Sequence, residues 1–93
     1  MNNELESIRE GLMIDLMNIF RNFIIDIKIT KRDIEDGCIH YRFTFNVEYD
    51  NVKFSFDTMF YLPVKNLSPI YQDLKYHSMM ILANELKKRG LMR

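Results

Sequence analysis

The stretch from Tyr41 to Leu62 alternates apolar and polar residues on both sides of Asp50-Asn51. Period-two alternation is typical of strands with one buried face, and Asp and Asn both tolerate the left-handed backbone of a tight hairpin turn. The pattern therefore predicts a β-hairpin in one definite register. Its apolar pairs are Tyr49–Val52, Val47–Phe54, Phe45–Phe56, Phe43–Thr58 and Tyr41–Phe60, and its polar pairs are Glu48–Lys53, Asn46–Ser55, Thr44–Asp57, Arg42–Met59 and His40–Tyr61.

Three more elements are predicted around the hairpin. Apolar residues at helical spacing predict a helix over about residues 3–20, with a stripe of Leu5, Ile8, Leu12, Leu16 and Ile19. Alternation predicts a strand over about residues 23–30, and the stretch KRDIEDG then predicts a turn with positive φ at Gly37. Ser68 and Pro69 predict the start of a second helix, which runs to about Arg89 with Gly90 as its C-cap.

The element order therefore predicts one α+β domain over residues 1–93. It is a helix, a three-stranded antiparallel meander and a helix, in the order α-β-β-β-α. Each strand is apolar mainly on one face, so we expect a two-layer sandwich with both helices on the same face of the sheet.

The second helix carries more apolar surface than one sheet face needs. A first stripe covers the sheet and contains Leu67, Ile70, Leu74, Ser78, Ile81 and Leu82. A second group points largely away from that stripe and contains Tyr76, Met79, Met80, Ala83 and Leu86. Helices that are apolar on most sides are buried on most sides. We expect this second group to form a homodimer seam or a patch for a partner protein; the alternative is that the first helix covers it.

The polar face of the sheet is the secondary candidate surface. The predicted register gathers His40, Arg42, Met59 and Tyr61 at one end of the hairpin. Arg and Tyr are frequent anchors in protein interfaces. The alternative is a polar sheet face that is simply solvated.

Composition and charge narrow the possible functions. Thirteen basic and thirteen acidic residues cancel, so no long-range attraction to nucleic acid or to an anionic membrane is expected. The single cysteine, Cys38, excludes an intramolecular disulfide, and no signal peptide or membrane span is visible, so we expect a cytoplasmic protein. Heavy use of Ile, Asn, Lys, Phe and Tyr, with one Ala and no Trp, indicates an AT-rich gene such as those of low-GC bacteria and their phages.

The order helix, three strands, helix resembles the double-stranded RNA-binding domain over most of the chain, as topology alone. The resemblance implies a lysine cluster at the start of the last helix that grips phosphates. The matching stretch here, SPIYQDLKYH, holds Lys75 alone with Asp73 nearby, and the basic residues lie instead in KKRGLMR. Most aromatic residues of the sheet are predicted to face the helices, so base stacking on the open face would depend on Tyr61 and His40.

Catalytic and metal-binding constellations are weak. Cys38 and His40 lie two apart on one strand and share a face, but residues so spaced are about 7 Å apart, which is too far for a direct thiol–imidazole bond. A zinc site from Cys38, His40 and His77 would lack a fourth ligand and standard spacing. We expect no catalytic residues, no metal and no cofactor.

The function expected from the sequence is that of a small non-enzymatic protein-interaction module. It would self-associate as a homodimer, or bind a host protein, through the last helix. A phage or mobile-element accessory protein that inhibits or regulates a host system is a plausible setting. The alternative is an RNA- or DNA-binding module of the double-stranded RNA-binding topology. Edge strands of the sheet offer a rival route to dimerisation.

Overall fold

The chain folds in the order helix, three antiparallel strands, helix. The computed structural model describes the backbone of residues 3–35, 37–63 and 70–92, and the side chains of residues 5–30, 37–61 and 71–92. The elements are α1 (Asn3–Ile19), β1 (Ile24–Glu35), β2 (Cys38–Tyr49), β3 (Val52–Pro63) and α2 (Ile70–Lys88). The strand order is β1-β2-β3, so β1 and β3 are the two edges of the sheet. The predicted α+β architecture is confirmed.

The β2–β3 hairpin has the register that the alternation predicts. All ten predicted pairs occur, from Tyr49 opposite Val52 to His40 opposite Tyr61. Asp50 and Asn51 form the turn with φ of 48° and 69°. Positive φ at both turn residues gives a twist that matches the right-handed twist of the two strands.

β1 is longer than predicted. The stretch KRDIEDG does not leave the sheet after Thr30, because β1 continues to Glu35 and pairs again with β2, Ile34 lying opposite Ile39. The register shifts between Lys31 and Ile34, which is the effect of a β-bulge. After the bulge, β1 pairs with β2 again, although residues 31–35 do not alternate between apolar and polar. Gly37 has the predicted positive φ, at 74°.

The core lies between the helices and one face of the sheet. Its buried side chains are Ile8, Leu12, Leu16, Phe20, Ile25, Ile27, Tyr41, Phe43, Phe45, Val47, Phe60, Leu74, Leu82 and Leu86. α1 lies along β1, and α2 lies near β3, where the His77 ring is 5.5 Å from that of Phe60. Ile19 is the one predicted stripe residue of α1 that is largely exposed. Phe20 is buried in the core instead of Ile19, at the point where α1 ends. The Phe20 N–H still donates to the Leu16 carbonyl at 2.7 Å.

The two helices approach each other closely at Gly11. A Cβ atom at this position would lie only 3.0 Å from Cε1 and Oη of Tyr71. The Tyr71 hydroxyl donates a hydrogen bond to Asp15, one turn further along α1, and Lys75 Nζ lies 3.6 Å from the same carboxylate. Gly11, a poor helix former, therefore opens the space in which the Tyr71 ring sits.

α2 buries a row of residues spaced four apart, namely Leu74, Ser78, Leu82 and Leu86. The prediction that Leu86 belongs to the outward group is wrong, because rows four apart run obliquely along a helix and this row follows the sheet. After the helix, Gly90 has φ of 74°, its N–H bonds the Lys87 carbonyl at 3.0 Å, and the Leu91 N–H bonds the Leu86 carbonyl at 2.9 Å. This Schellman turn confirms the predicted C-cap and brings Leu91 to the core. Leu67, Ser68, Pro69 and the Ile70 side chain lie outside the described residues.

Candidate protein-interaction surfaces

The outward face of α2 is narrower than the sequence predicts. Tyr76 and Met80 are 58% and 51% exposed and lie one helical turn apart. Met79 and Ala83 are half-buried and pack against the core, and Leu86 is fully buried. Of the five predicted residues, the structure thus leaves Tyr76 and Met80 as the exposed apolar pair, with Met79 and Ala83 at its margin. We call Tyr76 and Met80 the α2 ridge.

α1 does not cover the α2 ridge. It meets α2 on the Tyr71 side, where Asp15 accepts the Tyr71 hydrogen bond. A shallow groove beside the ridge is lined by Gln72, Asp73, Lys75, Tyr76 and Met79. Because the Lys75 ammonium lies 3.6 Å from the Asp15 carboxylate, the positive charge in this groove is largely compensated. The ridge therefore offers apolar contact area with little net charge around it.

The secondary candidate residues lie together on the open sheet face. The rings of His40 and Tyr61 meet edge to face with centroids 4.5 Å apart, and Arg42 lies opposite Met59 on the neighbouring strand. Tyr61 is 57% exposed. The placement of these four residues follows directly from the predicted register.

Two charged groups at the centre of this face are paired with each other. Arg42 forms an ion pair with Asp57, and hydrogen bonds from Arg42 and Thr44 lower the pKa of the Asp57 carboxyl below its usual value near 3.8. Further along, Ser55 Oγ donates to Asn46 Oδ1 at 2.5 Å. A phosphate or carboxylate ligand would have to displace Asp57 from Arg42, so Arg42 is poorly arranged to bind an anion.

The residues considered for catalysis or zinc binding lie on different sides of the sheet. His40 is on the open face beside Tyr61, whereas His77 is on α2 and its ring lies against Phe60 on the helix-covered face. Cys38 shares the face of His40 because the two are two residues apart on β2. The intervening sheet prevents Cys38, His40 and His77 from binding one metal ion.

The sequence does not predict a side-chain contact that the structure shows at the β1 edge. Arg9 Nε donates to the backbone carbonyl of Ile27 at 2.6 Å, and its terminal nitrogens reach Asp26 Oδ1 at 2.9 Å and Glu6 Oε1 at 3.0 Å. One side chain thus ties α1 to the outer edge of β1. The only signal in the sequence is that Arg9 is a single basic residue in α1. This does not predict its partner Ile27, which lies 18 residues further along the chain.

Comparison of the chain with protein-family models, with curated proteins and with solved structures finds no match. Over the residues that the structure describes, neither helix is long and apolar enough to cross a membrane.

Proposed function

We propose that this chain is a small, non-enzymatic protein-interaction module that binds a partner protein through the α2 ridge. The carrying observation is the exposure of Tyr76 and Met80, at 58% and 51%, on adjacent turns of one helix. Tyrosine and methionine are enriched in the cores of protein interfaces, and methionine adapts its shape to a partner.

The partner that fits this ridge is a protein with an apolar groove or an apolar helix face of its own. The compensated charge of Lys75 and Asp15 beside the ridge supports contact through apolar area rather than through charge. Half-buried Met79 and Ala83 supply a rigid base, because they also pack against the core. A partner helix lying across Tyr76 and Met80 would bury both side chains and keep the polar groups of Gln72 and Asp73 at the rim.

The wider role that we propose is that of a cytoplasmic accessory protein of a phage or mobile element, which inhibits or regulates a host protein. The heavy use of Ile, Asn, Lys, Phe and Tyr supports this setting, because these residues have AT-rich codons. Self-association is a separate part of the proposal and is taken up in the next subsection.

Nucleic-acid binding is less well supported. The chain has no net charge, and the sheet-face cation Arg42 is engaged by Asp57. A gel shift at low and at moderate salt tests this alternative directly. Binding that weakens steeply with salt would favour it over protein binding.

The proposal is tested with two variants that change exposed apolar residues by the same kind of substitution. Tyr76→Ser/Met80→Ser removes the ridge, and Ile24→Ser removes an isoleucine that is 63% exposed on the opposite face of the molecule. A partner isolated with the wild type is purified, and its affinity for all three proteins is measured by calorimetry. We expect the ridge variant to bind at least about 30-fold more weakly, which corresponds to the roughly 2 kcal/mol typical of an interface hot spot. Ile24→Ser should bind as the wild type does.

Unchanged affinity of the ridge variant, or loss of binding in Ile24→Ser alone, would contradict the proposal. Circular dichroism of both variants controls for folding. Met79 is kept in every variant, because its contact with the core means that a polar substitution there would also reduce stability.

A further inference from the structure

The two edges of the sheet are protected very differently. On β1, Arg9 bonds the Ile27 carbonyl at 2.6 Å, and the register irregularity between Lys31 and Ile34 interrupts the edge. Charged side chains and bulges are the usual devices that prevent a strand edge from pairing with another chain. β3 has twelve residues, from Val52 to Pro63, and pairs with β2 without a register irregularity. It carries the charged residues Lys53 and Asp57, but among the described residues no side chain from another element bonds to its outer backbone edge.

The hairpin register determines which backbone groups of β3 point outward. A two-residue turn closes on a hydrogen-bonded pair, here Tyr49 and Val52, and hydrogen bonding alternates from there. The N–H and C=O groups of Lys53, Ser55 and Asp57 therefore point away from β2. Carried across β2 to β1, the same alternation points the Ile27 carbonyl outward, in agreement with its bond to Arg9.

Among the described residues, no strand pairs with β3 on the side away from β2. Within the described part of the chain, no side chain is recorded bonding to the backbone of Lys53, Ser55 or Asp57. On the helix side of the same strand, Phe54 and Phe56 are only half-buried, and their stacked rings lie 6.3 Å apart. Arg89 lies over the Phe54 ring at 4.1 Å but leaves it partly exposed. β3 thus combines an unoccupied ladder with an incompletely covered apolar face.

We propose that β3 pairs antiparallel with β3 of a second copy of this chain, in the register centred on Ser55. Two-fold symmetry then places Lys53 of each copy opposite Asp57 of the other, so two pairs of opposite charge form. Centring the pairing on Asp57 or on Lys53 would instead place like charges opposite each other. Among the registers in which outward backbone groups face each other, only the one centred on Ser55 brings Lys53 and Asp57 into direct opposition.

The same register also serves the apolar face. It sets Phe54 of one copy opposite Phe56 of the other in a non-hydrogen-bonded pair, where side chains lie closest. Phe56 already stacks on Phe45 with centroids 5.0 Å apart, so an apolar row would run continuously from one copy into the next. The product is a six-stranded sheet. This inference goes beyond the proposed function, because it uses a surface separate from the α2 ridge and names the occupant as a second copy.

Charge reversal at the two paired positions tests the register. Light scattering after size exclusion should give the wild type a mass of about twice the 11.3 kDa chain. We expect Lys53→Asp alone and Asp57→Lys alone to weaken dimerisation by roughly tenfold or more, because each places like charges opposite each other twice. An equimolar mixture of the two variants should form a heterodimer, visible by native mass spectrometry, because every cross-pair is then of opposite charge.

A matched control separates intermolecular effects from those within the hairpin. Lys53→Asp also creates a like-charge pair with Glu48, its cross-strand neighbour. Glu48→Lys creates an equivalent like-charge pair with Lys53 but leaves the edge residues of β3 unchanged, so it should remain dimeric. Ser55→Pro removes the outward N–H without removing a backbone bond to β2. It also removes the side-chain bond from Ser55 Oγ to Asn46 Oδ1, which is exposed, and it should give a folded monomer.

Disulfide trapping fixes the register independently of charge. In a Cys38→Ser background, Ser55→Cys places two cysteines directly opposite each other, at a Cα separation of about 5.5 Å that suits a disulfide. Lys53→Cys in the same background places the two cysteines four residues apart along the paired strands, a separation of about 13 Å, and should not cross-link. We expect rapid dimer formation from the first variant only.

A monomeric wild type over a wide range of concentration would overturn the inference. So would a dimer that survives both Lys53→Asp and Ser55→Pro, or one that cross-links at Lys53→Cys instead of Ser55→Cys. Tyr76→Ser/Met80→Ser should stay dimeric. If it alone becomes monomeric, the dimer uses the α2 ridge and the β3 register is wrong, whereas loss of partner binding with an intact dimer affects only the proposed function.

Discussion

Gly11 is where the structure makes its sharpest prediction about stability. In an exposed helix, Gly11→Ala would be stabilising by about 1 kcal/mol, because alanine is the better helix former. Here the new methyl carbon would lie 3.0 Å from Cε1 and Oη of Tyr71, and 3.3 Å from Cζ. Favourable carbon–carbon contacts begin near 3.5 Å, so the ring has to move by several tenths of an ångström.

The cost of that movement is set by the anchor of the ring. The Tyr71 hydroxyl donates to the Asp15 carboxylate, and a hydrogen bond to a charged group contributes about 1.5–3 kcal/mol in a buried setting. The Asp15 side chain is 33% exposed, so solvent screening holds the contribution of this bond to about 2 kcal/mol or slightly less. Setting this loss against the gain in helix propensity, we expect Gly11→Ala to lower the free energy of unfolding by about 1 kcal/mol. That corresponds to a fall in Tm of about 5 °C for a domain of this size.

A double-mutant cycle with Tyr71→Ala isolates the contact. Urea denaturation followed by circular dichroism, at one fixed protein concentration, gives the free energies of unfolding for all four proteins. In the Tyr71→Ala background, Gly11→Ala should become stabilising by about 1 kcal/mol, so the coupling should be about 2 kcal/mol. Tyr71→Phe is the matched control, since it keeps the ring but releases it from Asp15 and should leave an intermediate coupling. If Gly11→Ala stabilises the wild type and the Tyr71→Ala variant equally, the close approach of the two helices is not as described.

Two further predictions concern Ser78 and Tyr71 of α2. The hydroxyl of buried Ser78 has no hydrogen-bond partner among the described residues, so Ser78→Ala should raise the free energy of unfolding by about 1 kcal/mol. The control is Ser7→Ala at an exposed helical position, which should raise it by only about half as much. If Ser78→Ala lowers the free energy of unfolding, the hydroxyl is hydrogen-bonded. Burial, the hydrogen bond to Asp15 and the charge of Asp15 raise the pKa of Tyr71 above its usual value of 10.0. Because the folded-state pKa is the higher one, this stabilisation is complete below pH 10 and is lost as the pH rises through the folded-state value. An ultraviolet titration should show a late tyrosinate step that Tyr71→Phe removes, and its persistence in that variant would refute the assignment.

The parts of the fold that the sequence predicts best are those fixed by local pattern. The hairpin register follows from the alternation of two adjacent strands around Asp50-Asn51, because a slip by one residue would turn every side chain to the wrong face. The same logic placed His40, Arg42, Met59 and Tyr61 together. The C-cap at Gly90 is equally local, since only the backbone at that residue and its neighbours decides it.

The errors arise where packing over a distance decides. On an ideal helical wheel Leu86 points outward, but in the structure the sheet buries an oblique row of positions four apart that includes Leu86. β1 extends to Glu35 because Ile34 pairs with Ile39 after a bulge. The alternation of apolar and polar residues does not predict this bulge. Two further features depend on how a helix packs against another element, which a single sequence does not predict. They are the contact of Arg9 with Ile27 and the space at Gly11 for the Tyr71 ring.

The Arg9 side chain has a consequence for how large an assembly this chain can build. Two copies joined through β3 leave a β1 strand at each outer border of the six-stranded sheet. There the guanidinium holds the Ile27 carbonyl, and the irregular segment after Lys31 breaks the regular spacing that an added strand would need. Because the proposed two-fold contact also occupies both β3 strands, we expect growth to end with the second chain instead of continuing into a fibre. In the proposed dimer, Arg9 would thus act together with the register irregularity to limit the assembly to two chains.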